Sequence, residues 1–290
     1  MILLILAILS SSLIFVIFKL FPRFSINTFQ AIVFNYITAF ICGFLLYGNV
    51  WENSLIGTSN WSYFAILCGI LFISLFYLMG VSSQKNGVAM TSISVKMSMA
   101  FSMMLMIFFY GENVSFIKVC GIISAFLGVF LMAFQKTEKS NAKSYSWMLI
   151  ILFIGSAILD FTLNFVQKYE LSKLPASLFS AIGFGVAGVF GLIFILIQFF
   201  KGGEKLHLKS AIAGVLLGIP NYFSIYLLLE SYSSIGWNDS TVLAIMNISI
   251  VMVSAIVGFI AFKENFNFQK KIGLIISIIA IGLLFFASNS

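Results

Sequence analysis

Charged residues are scarce in this chain of 290 residues: Asp, Glu, Lys and Arg together make up only 9%, whereas 61% of the residues are hydrophobic. A soluble globular domain averages about 25% charged and about 45–50% apolar residues. Because so much apolar surface cannot be hidden in one water-soluble core, the composition excludes an ordinary soluble domain. It predicts a chain whose solvent is lipid.

Histidine, cysteine and proline are also rare, with one, three and three residues. The single histidine lies in a lysine-rich loop, and the cysteines fall in apolar stretches without the close spacing of a metal or redox pair. We therefore expect neither a metal nor a cofactor. Membrane enzymes need clustered acids, histidine pairs or a Ser/His arrangement, and ATP-driven transport needs a phosphate-binding loop. None of these patterns is present, so we expect the chain not to be an enzyme.

A net charge of +7 raises the question of nucleic acid. The basic residues, however, occupy short gaps between apolar runs, as the positive-inside bias of membrane proteins requires. The chain has no compact basic domain, so nucleic acid is not an expected partner.

Apolar stretches long enough for membrane helices recur along the whole chain. A helix needs about 20 apolar residues to cross roughly 30 Å of hydrocarbon. Ten stretches qualify: residues 1–20, 27–48, 61–81, 87–110, 115–134, 145–169, 175–200, 208–232, 239–262 and 268–287. The predicted fold class is an all-α integral membrane protein with ten transmembrane helices.

The two halves of the chain match at a shift of 152 positions. Glu112 then falls on Glu264, and Gly121 falls on Gly273 nine residues later in both copies. We infer two five-helix repeats, at 1–135 and 145–290, joined by a basic linker at 136–144. Because five is odd, the second copy enters the membrane inverted, which is a recurrent transporter design. Each glutamate directly precedes a helix whose N-terminal dipole favours a carboxylate, so a structural role is expected for these four signature positions.

The matching segments also resemble a known family. The run from Tyr110 to Phe116, followed by Gly121, is similar to the junction of helices 4 and 5 in EamA-type members of the drug/metabolite transporter superfamily. The run from Phe262 to Phe268, followed by Gly273, is the second copy. The resemblance implies a multi-pass secondary carrier of the bacterial plasma membrane. Such a carrier exports amino acids or other small metabolites by alternating access, through a cavity lined by both repeats.

Orientation and assembly stay open at this stage. Loops after odd-numbered helices carry twelve basic residues and loops after even-numbered helices carry three, which predicts odd loops in the cytoplasm and both termini outside. The resemblance implies the opposite, with both termini in the cytoplasm. A homodimer is neither required nor excluded by the sequence.

Two charges lie in the interior of predicted spans, away from the span ends, where each costs about 2.5–3.5 kcal/mol even on a lenient scale. Lys96 is near the middle of helix 4, Asp160 is in the second half of helix 6, and neither has a charged counterpart 152 positions away. We expect Lys96 to receive an anionic group of a small-molecule substrate and Asp160 to hold an amine or a coupling proton. The alternatives are a structural ion pair between the two helices, or a lysine that extends its ammonium along its own stem to the membrane boundary.

Neutral polar residues in spans form a second tier of candidates. They are Asn35 and Tyr36 in helix 2, Asn164 in helix 6, Asn221, Tyr222 and Tyr226 in helix 8, and Asn247 in helix 9. Each is expected either to line the solute path or to make an interhelical hydrogen bond worth about 0.6–2 kcal/mol. Pro220 predicts a kink in helix 8, because proline lacks the N–H that the helix would bond.

The sequence thus predicts a secondary transporter of a small metabolite embedded in the lipid bilayer. Two other classes compete with it: a membrane-embedded scaffold or sensor, and an integral membrane enzyme without transport activity.

Overall fold

The structure of the protein is a computed structural model, and it describes most of the chain. The described residues are 1–47, 61–110, 115–133, 146–169, 176–202, 205–235, 239–264 and 267–289.

Ten α-helices make up almost all of the described residues. They are α1 (Ile2–Leu20), α2 (Thr28–Tyr47), α3 (Trp61–Lys85), α4 (Val88–Tyr110), α5 (Phe116–Ala133), α6 (Ser146–Tyr169), α7 (Ala176–Phe200), α8 (Leu208–Ile235), α9 (Asp239–Ile260) and α10 (Phe268–Asn289). The ten predicted helices are therefore confirmed, with ends displaced by a few residues. The largest displacement is at α3, which continues four residues beyond its predicted end, to Lys85.

Six of these helices, α1 to α4, α7 and α8, are long and apolar enough to cross a membrane. In α5, α6, α9 and α10 the described apolar segments are shorter. The exposed side chains are largely apolar, as expected for surfaces that face lipid.

Local side-chain caps explain where some helices begin. The side chain of Asn27 accepts a hydrogen bond of 3.0 Å from the Gln30 N–H, which would otherwise have no partner in the first turn of α2. Ser115 does the same at the start of α5, accepting from the Lys118 N–H over 3.2 Å.

Helices α5 and α10 pack along much of their length, and glycines bring their backbones together. Gly121, near the start of α5, faces Leu284 near the end of α10, whereas Gly128 lies against the backbone of Gly273 near the start of α10. The two helices are therefore antiparallel. Small residues allow this approach, since apolar helices in lipid associate by close packing rather than by escape from water.

Helices α2 and α7 are antiparallel in the same way. Gly188 lies against Ile37, and Gly191, one turn later on α7, lies against Val33, one turn earlier on α2. A side chain at position 188 would also contact Tyr36 of α2.

A third antiparallel pair joins α4 and α9. The Asn247 amide donates to the Met99 sulfur over 3.3 Å, and Gly258, further along α9, lies near Ala89, earlier on α4. Other contacts between helices come in pairs that correspond when the first five helices are exchanged with the last five. The α2–α8 contact corresponds to the α7–α3 contact, and the α4–α6 contact corresponds to the α9–α1 contact.

Buried apolar residues form two clusters. The first is centred on α1, α2, α3, α7 and α8, and the second on α4, α5, α6, α9 and α10. Helices α4 and α6 border both, since α4 contributes Val95 to the first cluster and Met97 to the second.

The start of α4 is capped from a distant part of the chain. The Glu264 carboxylate, in the loop after α9, accepts hydrogen bonds from the Val88 N–H at 2.7 Å and the Ala89 N–H at 3.4 Å. It also pairs with the Lys19 ammonium at the end of α1, at 3.6 Å. Gly87 precedes α4 with a φ of +102°, and a side chain there would collide with this carboxylate. The helix end that Glu264 serves is thus α4, whereas its sequence position suggested α10.

We expect Gly128→Leu to lower the melting temperature of the purified protein in detergent. A side chain there meets Ser277 and the α10 backbone, and such overpacking costs about 1–3 kcal/mol. Gly282→Leu is the matched control, because a side chain at this position of α10 has open space around it. Equal melting temperatures for the two variants would contradict the described α5–α10 interface.

We expect Glu264→Ala to destabilise the fold by about 0.5–2 kcal/mol, as loss of a helix cap does. Lys19→Ala removes the partly exposed ion pair and a hydrogen bond of 3.3 Å to the Gln84 carbonyl but leaves the cap, and its effect should be within about 0–1 kcal/mol. Thermal unfolding followed by circular dichroism measures both. An effect of Lys19→Ala as large as that of Glu264→Ala would contradict a main contribution from the cap.

Candidate functional site: the α4–α6 polar pair

The first half of α4 is surrounded by protein. From Val88 to Ser98 no side chain is exposed, and all of those from Val88 to Ser94 are buried. Nearly a third of these eleven residues are serines, which fit inside a bundle without bulk and can donate to backbone carbonyls. Ser94, for example, donates to the Leu149 carbonyl of α6 over 2.6 Å. Any charge placed on this part of α4 therefore faces protein or an internal space, and not lipid.

Asp160 lies on the inward face of α6. It follows Phe153 by seven residues and Ser156 by four, and both of these side chains are buried on the same helix face. The opposite face carries Ile151, Ile154 and Ile158, which are exposed as lipid-facing residues should be. Asp160 is nevertheless accessible. The carboxylate therefore remains accessible, although it lies on the face of α6 that packs against protein.

The Asp160 carboxylate is oriented by α4. The Ser98 hydroxyl donates to Oδ2 of Asp160 over 3.0 Å and shares its single proton with the Val95 carbonyl at 2.6 Å. This bond fixes the direction of one carboxylate oxygen and leaves the other able to accept from another donor.

Lys96 is half-buried on the same part of α4. Its ammonium is close enough to Asp160 for electrostatic attraction, but the two groups form no ion pair within 4 Å. It makes no hydrogen bond to any residue that the structure describes. A direct structural ion pair between Lys96 and Asp160 is thus not what holds α4 against α6.

Asn247 of α9 lies close to this pair. Its hydrogen bond to Met99 places it beside the α4 turn that carries Lys96 and Ser98, and only 5% of its surface is exposed. The structure thus brings Lys96, Ser98 and Asp160 together, and Asn247 packs beside the same turn of α4.

The candidates on α2 lie in a different place, the first apolar cluster. Tyr36 is fully buried among aromatic rings, with Phe184 at 5.6 Å between ring centroids, and its hydroxyl donates to the Phe72 carbonyl over 2.6 Å. Asn35 is fully buried, and its side-chain amide has no partner among the described residues. Helix packing surrounds both residues.

The candidates on α8 form a stack beside the α2 group. The rings of Tyr222 and Tyr226 are parallel within 16°, at 6.0 Å between centroids, and Tyr222 approaches Gly43 of α2. Asn221 is 5% exposed and directly follows Pro220, which lies inside a helix that continues to Ile235. Pro220 thus lies within one continuous helix, and the kink expected there stays a prediction.

Two candidates cannot be placed in full. Glu112 lies outside the described residues, and Asn164 lies within α6, but its side chain is likewise outside the described part.

Sequence reasoning missed one contributor and one partner. Ser98 is one of several serines in α4, and that repetition was the available signal for a polar helix face. A role for Glu264 at a helix N-terminus was expected, but the helix that it caps had no local signal, because the groups it binds are about 175 residues away.

Comparisons with known proteins agree with this architecture. Residues 1–134 match the model of the EamA-like transporter family. A Haemophilus influenzae protein described only as uncharacterized is 28% identical over 289 residues, which cover 98% of this chain and 97% of that protein. A crystal structure of a protein whose description gives no function shares 12% identity and superposes with a TM-score of 0.61. That match covers 97% of this chain and 94% of the other, and it indicates a shared fold alone.

The family match covers the first five helices, α1 to α5, and includes the half of the α4–α6 pair that α4 supplies. Residues 1–134 are thus similar to the EamA-like transporter family, which is part of the drug/metabolite transporter superfamily.

Proposed function

We propose that this protein is a secondary transporter that moves a small zwitterionic or anionic metabolite, such as an amino acid, and binds it between Lys96 and Asp160. The EamA-like match makes a membrane transporter the expected class, and members of this family are transporters and not enzymes. The substrate is an inference from the site, whereas export is proposed because the family resemblance implies it.

The observation that carries the proposal is the Lys96 ammonium. It lies on a helix segment surrounded by protein and has no hydrogen-bond or ion-pair partner among the described residues. A charge in such surroundings costs several kcal/mol unless it is paired. A substrate carboxylate or phosphate would supply the missing partner, which makes binding favourable for anionic groups and unfavourable for neutral ones.

Asp160 complements this preference. Its accessible carboxylate, oriented by Ser98, can accept from a substrate amine or take up a proton. Because Lys96 and Asp160 attract each other without touching, a zwitterion can bridge them, with its carboxylate toward the lysine and its amine toward the aspartate.

Alternating access would follow from an inverted repeat of the two halves. We propose that α1–α5 and α6–α10 are such repeats and that all ten helices span the membrane. Three observations support this: the corresponding helices α2 and α7, α4 and α9, and α5 and α10 each pack antiparallel. The remaining contacts between halves also come in matched sets. Two similar halves can pack in two arrangements of nearly equal energy, and each arrangement opens the centre to one side. We place the protein in the plasma membrane as a multi-pass protein.

We expect Lys96→Ala and Asp160→Asn each to reduce transport at least tenfold, since each removes a charge-assisted contact with the substrate. Purified protein is reconstituted into liposomes loaded with unlabelled amino acids, and uptake of an isotope-labelled amino-acid mixture by exchange is measured. Ser98→Ala should have a smaller effect, because it removes only the group that orients Asp160.

Lys85→Ala is the control for these variants, as this exposed lysine ends α3 far from the pair. Melting temperatures of all variants separate loss of transport from loss of fold. Undiminished exchange in folded Lys96→Ala and Asp160→Asn would refute the site. No exchange by the wild-type protein would instead favour a scaffold or sensor.

The lysine distribution predicts that the loop after α7 faces the cytoplasm. In a variant without its native cysteines, Lys205→Cys should react with a membrane-impermeant maleimide only after the cells are permeabilised, and Lys118→Cys should react without it. The reverse pattern would instead support cytoplasmic termini, as the family resemblance implies.

A further inference from the structure

A second candidate site shares no residue with the α4–α6 pair. It is a groove of about 1300 Å³ between α2, α3 and α7, with Ile151 of α6 at its edge. None of the candidate substrate residues lines it. The volume exceeds the roughly 300–1,000 Å³ of typical small-ligand pockets.

The walls of the groove are apolar and open sideways. Ile70 and Tyr77 of α3 and Phe194 of α7 line it, and 42–48% of each side chain is accessible. Phe29 of α2 packs edge-on against the rings of Tyr77 and Phe194, at 5.7 and 5.0 Å between centroids, and forms the floor. A groove with such walls, on a helix bundle of this composition, faces the hydrocarbon of the bilayer.

The length of the groove matches one leaflet. Its lining on α3 runs from Ile70 to Gln84, the last turn of that helix, which corresponds to about 21 Å at 1.5 Å per residue. One leaflet contributes half of the roughly 30 Å of hydrocarbon, and the headgroup layer adds several ångströms. The groove therefore reaches from the membrane boundary to about the bilayer centre.

Most of the polar groups of the groove collect at one end. Gln84 lies in the last turn of α3, Thr28 begins α2, Gln198 lies in the last turn of α7 and Lys201 directly follows it, so all lie at the same membrane boundary. Gln84 donates to the Thr28 hydroxyl over 2.9 Å, so these two groups already satisfy each other in part. Lys201 is exposed and supplies a positive charge at the mouth of the groove.

We propose that this groove binds one anionic phospholipid, with its phosphate against Lys201 and Gln198 and an acyl chain along α3 and α7. Charge selects the occupant: the groove opens at the boundary where most of the basic residues of the chain collect, and a phosphate is the anion of that layer. The acyl chain contacts helices from both halves of the protein, since α2 and α3 precede the linker and α7 follows it. The lipid therefore stabilises the packing of one half against the other.

Native mass spectrometry of the detergent-purified protein tests the proposal by titration with phosphatidylglycerol or with phosphatidylcholine of the same acyl chains. The wild-type protein should bind one phosphatidylglycerol more tightly than phosphatidylcholine. Lys201→Gln should weaken phosphatidylglycerol binding about fivefold, the effect of one lysine near an anionic lipid surface, and should leave phosphatidylcholine unchanged. Lys271→Gln, an exposed lysine at the start of α10, is the control for charge.

A second pair of variants tests the groove itself. Ser74→Trp fills the groove from an exposed position of α3 and should weaken binding of both lipids, whereas Leu67→Trp places the same bulk on an exposed part of α3 outside it. The proposal is overturned if the wild-type protein binds the two lipids equally. It is also overturned if Lys201→Gln matches Lys271→Gln, or if Ser74→Trp binds as Leu67→Trp does. Because the α4–α6 pair shares no residue with the groove, amino-acid exchange by the same variants is scored separately from lipid binding.

Discussion

Close approach of helix backbones at glycine is the contact on which the bundle depends. Apolar side chains gain little by leaving lipid for one another, so helices in a membrane need dense packing to associate. The chain supplies it where α5 meets α10, α2 meets α7 and α2 meets α8. On α8, Gly214 and Gly218 lie against the backbone of Asn35 and its neighbours. These contacts define the relative position of the helices, and that position brings the polar side chains of α4, α6 and α9 together.

Polar groups in the interior of this apolar packing are of two kinds. The Tyr36 hydroxyl already makes its hydrogen bond within the fold, since it donates to the Phe72 carbonyl among aromatic rings. Lys96 and Asp160 can still bind a ligand. Lys96 has no hydrogen-bonded or ion-paired partner among the described residues, and Asp160 remains accessible. The difference is in bonding and not in residue type. It separates a structural polar residue from a candidate ligand-binding one, and it also explains why a charge can persist there at a cost in stability.

The sequence anticipated the helices well, because the length and apolarity of a membrane span are local properties. Lys96 and Asp160 could be singled out for a similar reason: a charge in a long apolar run is conspicuous without knowledge of its neighbours. Asn35 and Asn247 show the limit, since nothing in either span tells whether an amide faces another helix or a solute. Asn35 is enclosed by packing, whereas Asn247 lies next to the pair. The target of Glu264 was likewise beyond local patterns, because it depends on how α9 is placed against α4.

The cap on α4 has a mechanical consequence. Glu264 is attached to the loop that links α9 to α10, yet its two hydrogen bonds are to the end of the helix that carries Lys96. Val88 and Lys96 are eight residues apart, or about 12 Å along a rigid helix. A shift of the α9–α10 loop would therefore move α4 as a rigid body and displace the Lys96 ammonium with it, without any change in the intervening side chains. The first half of the chain supplies the Lys96 ammonium, and the Glu264 carboxylate of the second half holds the end of the helix that carries it.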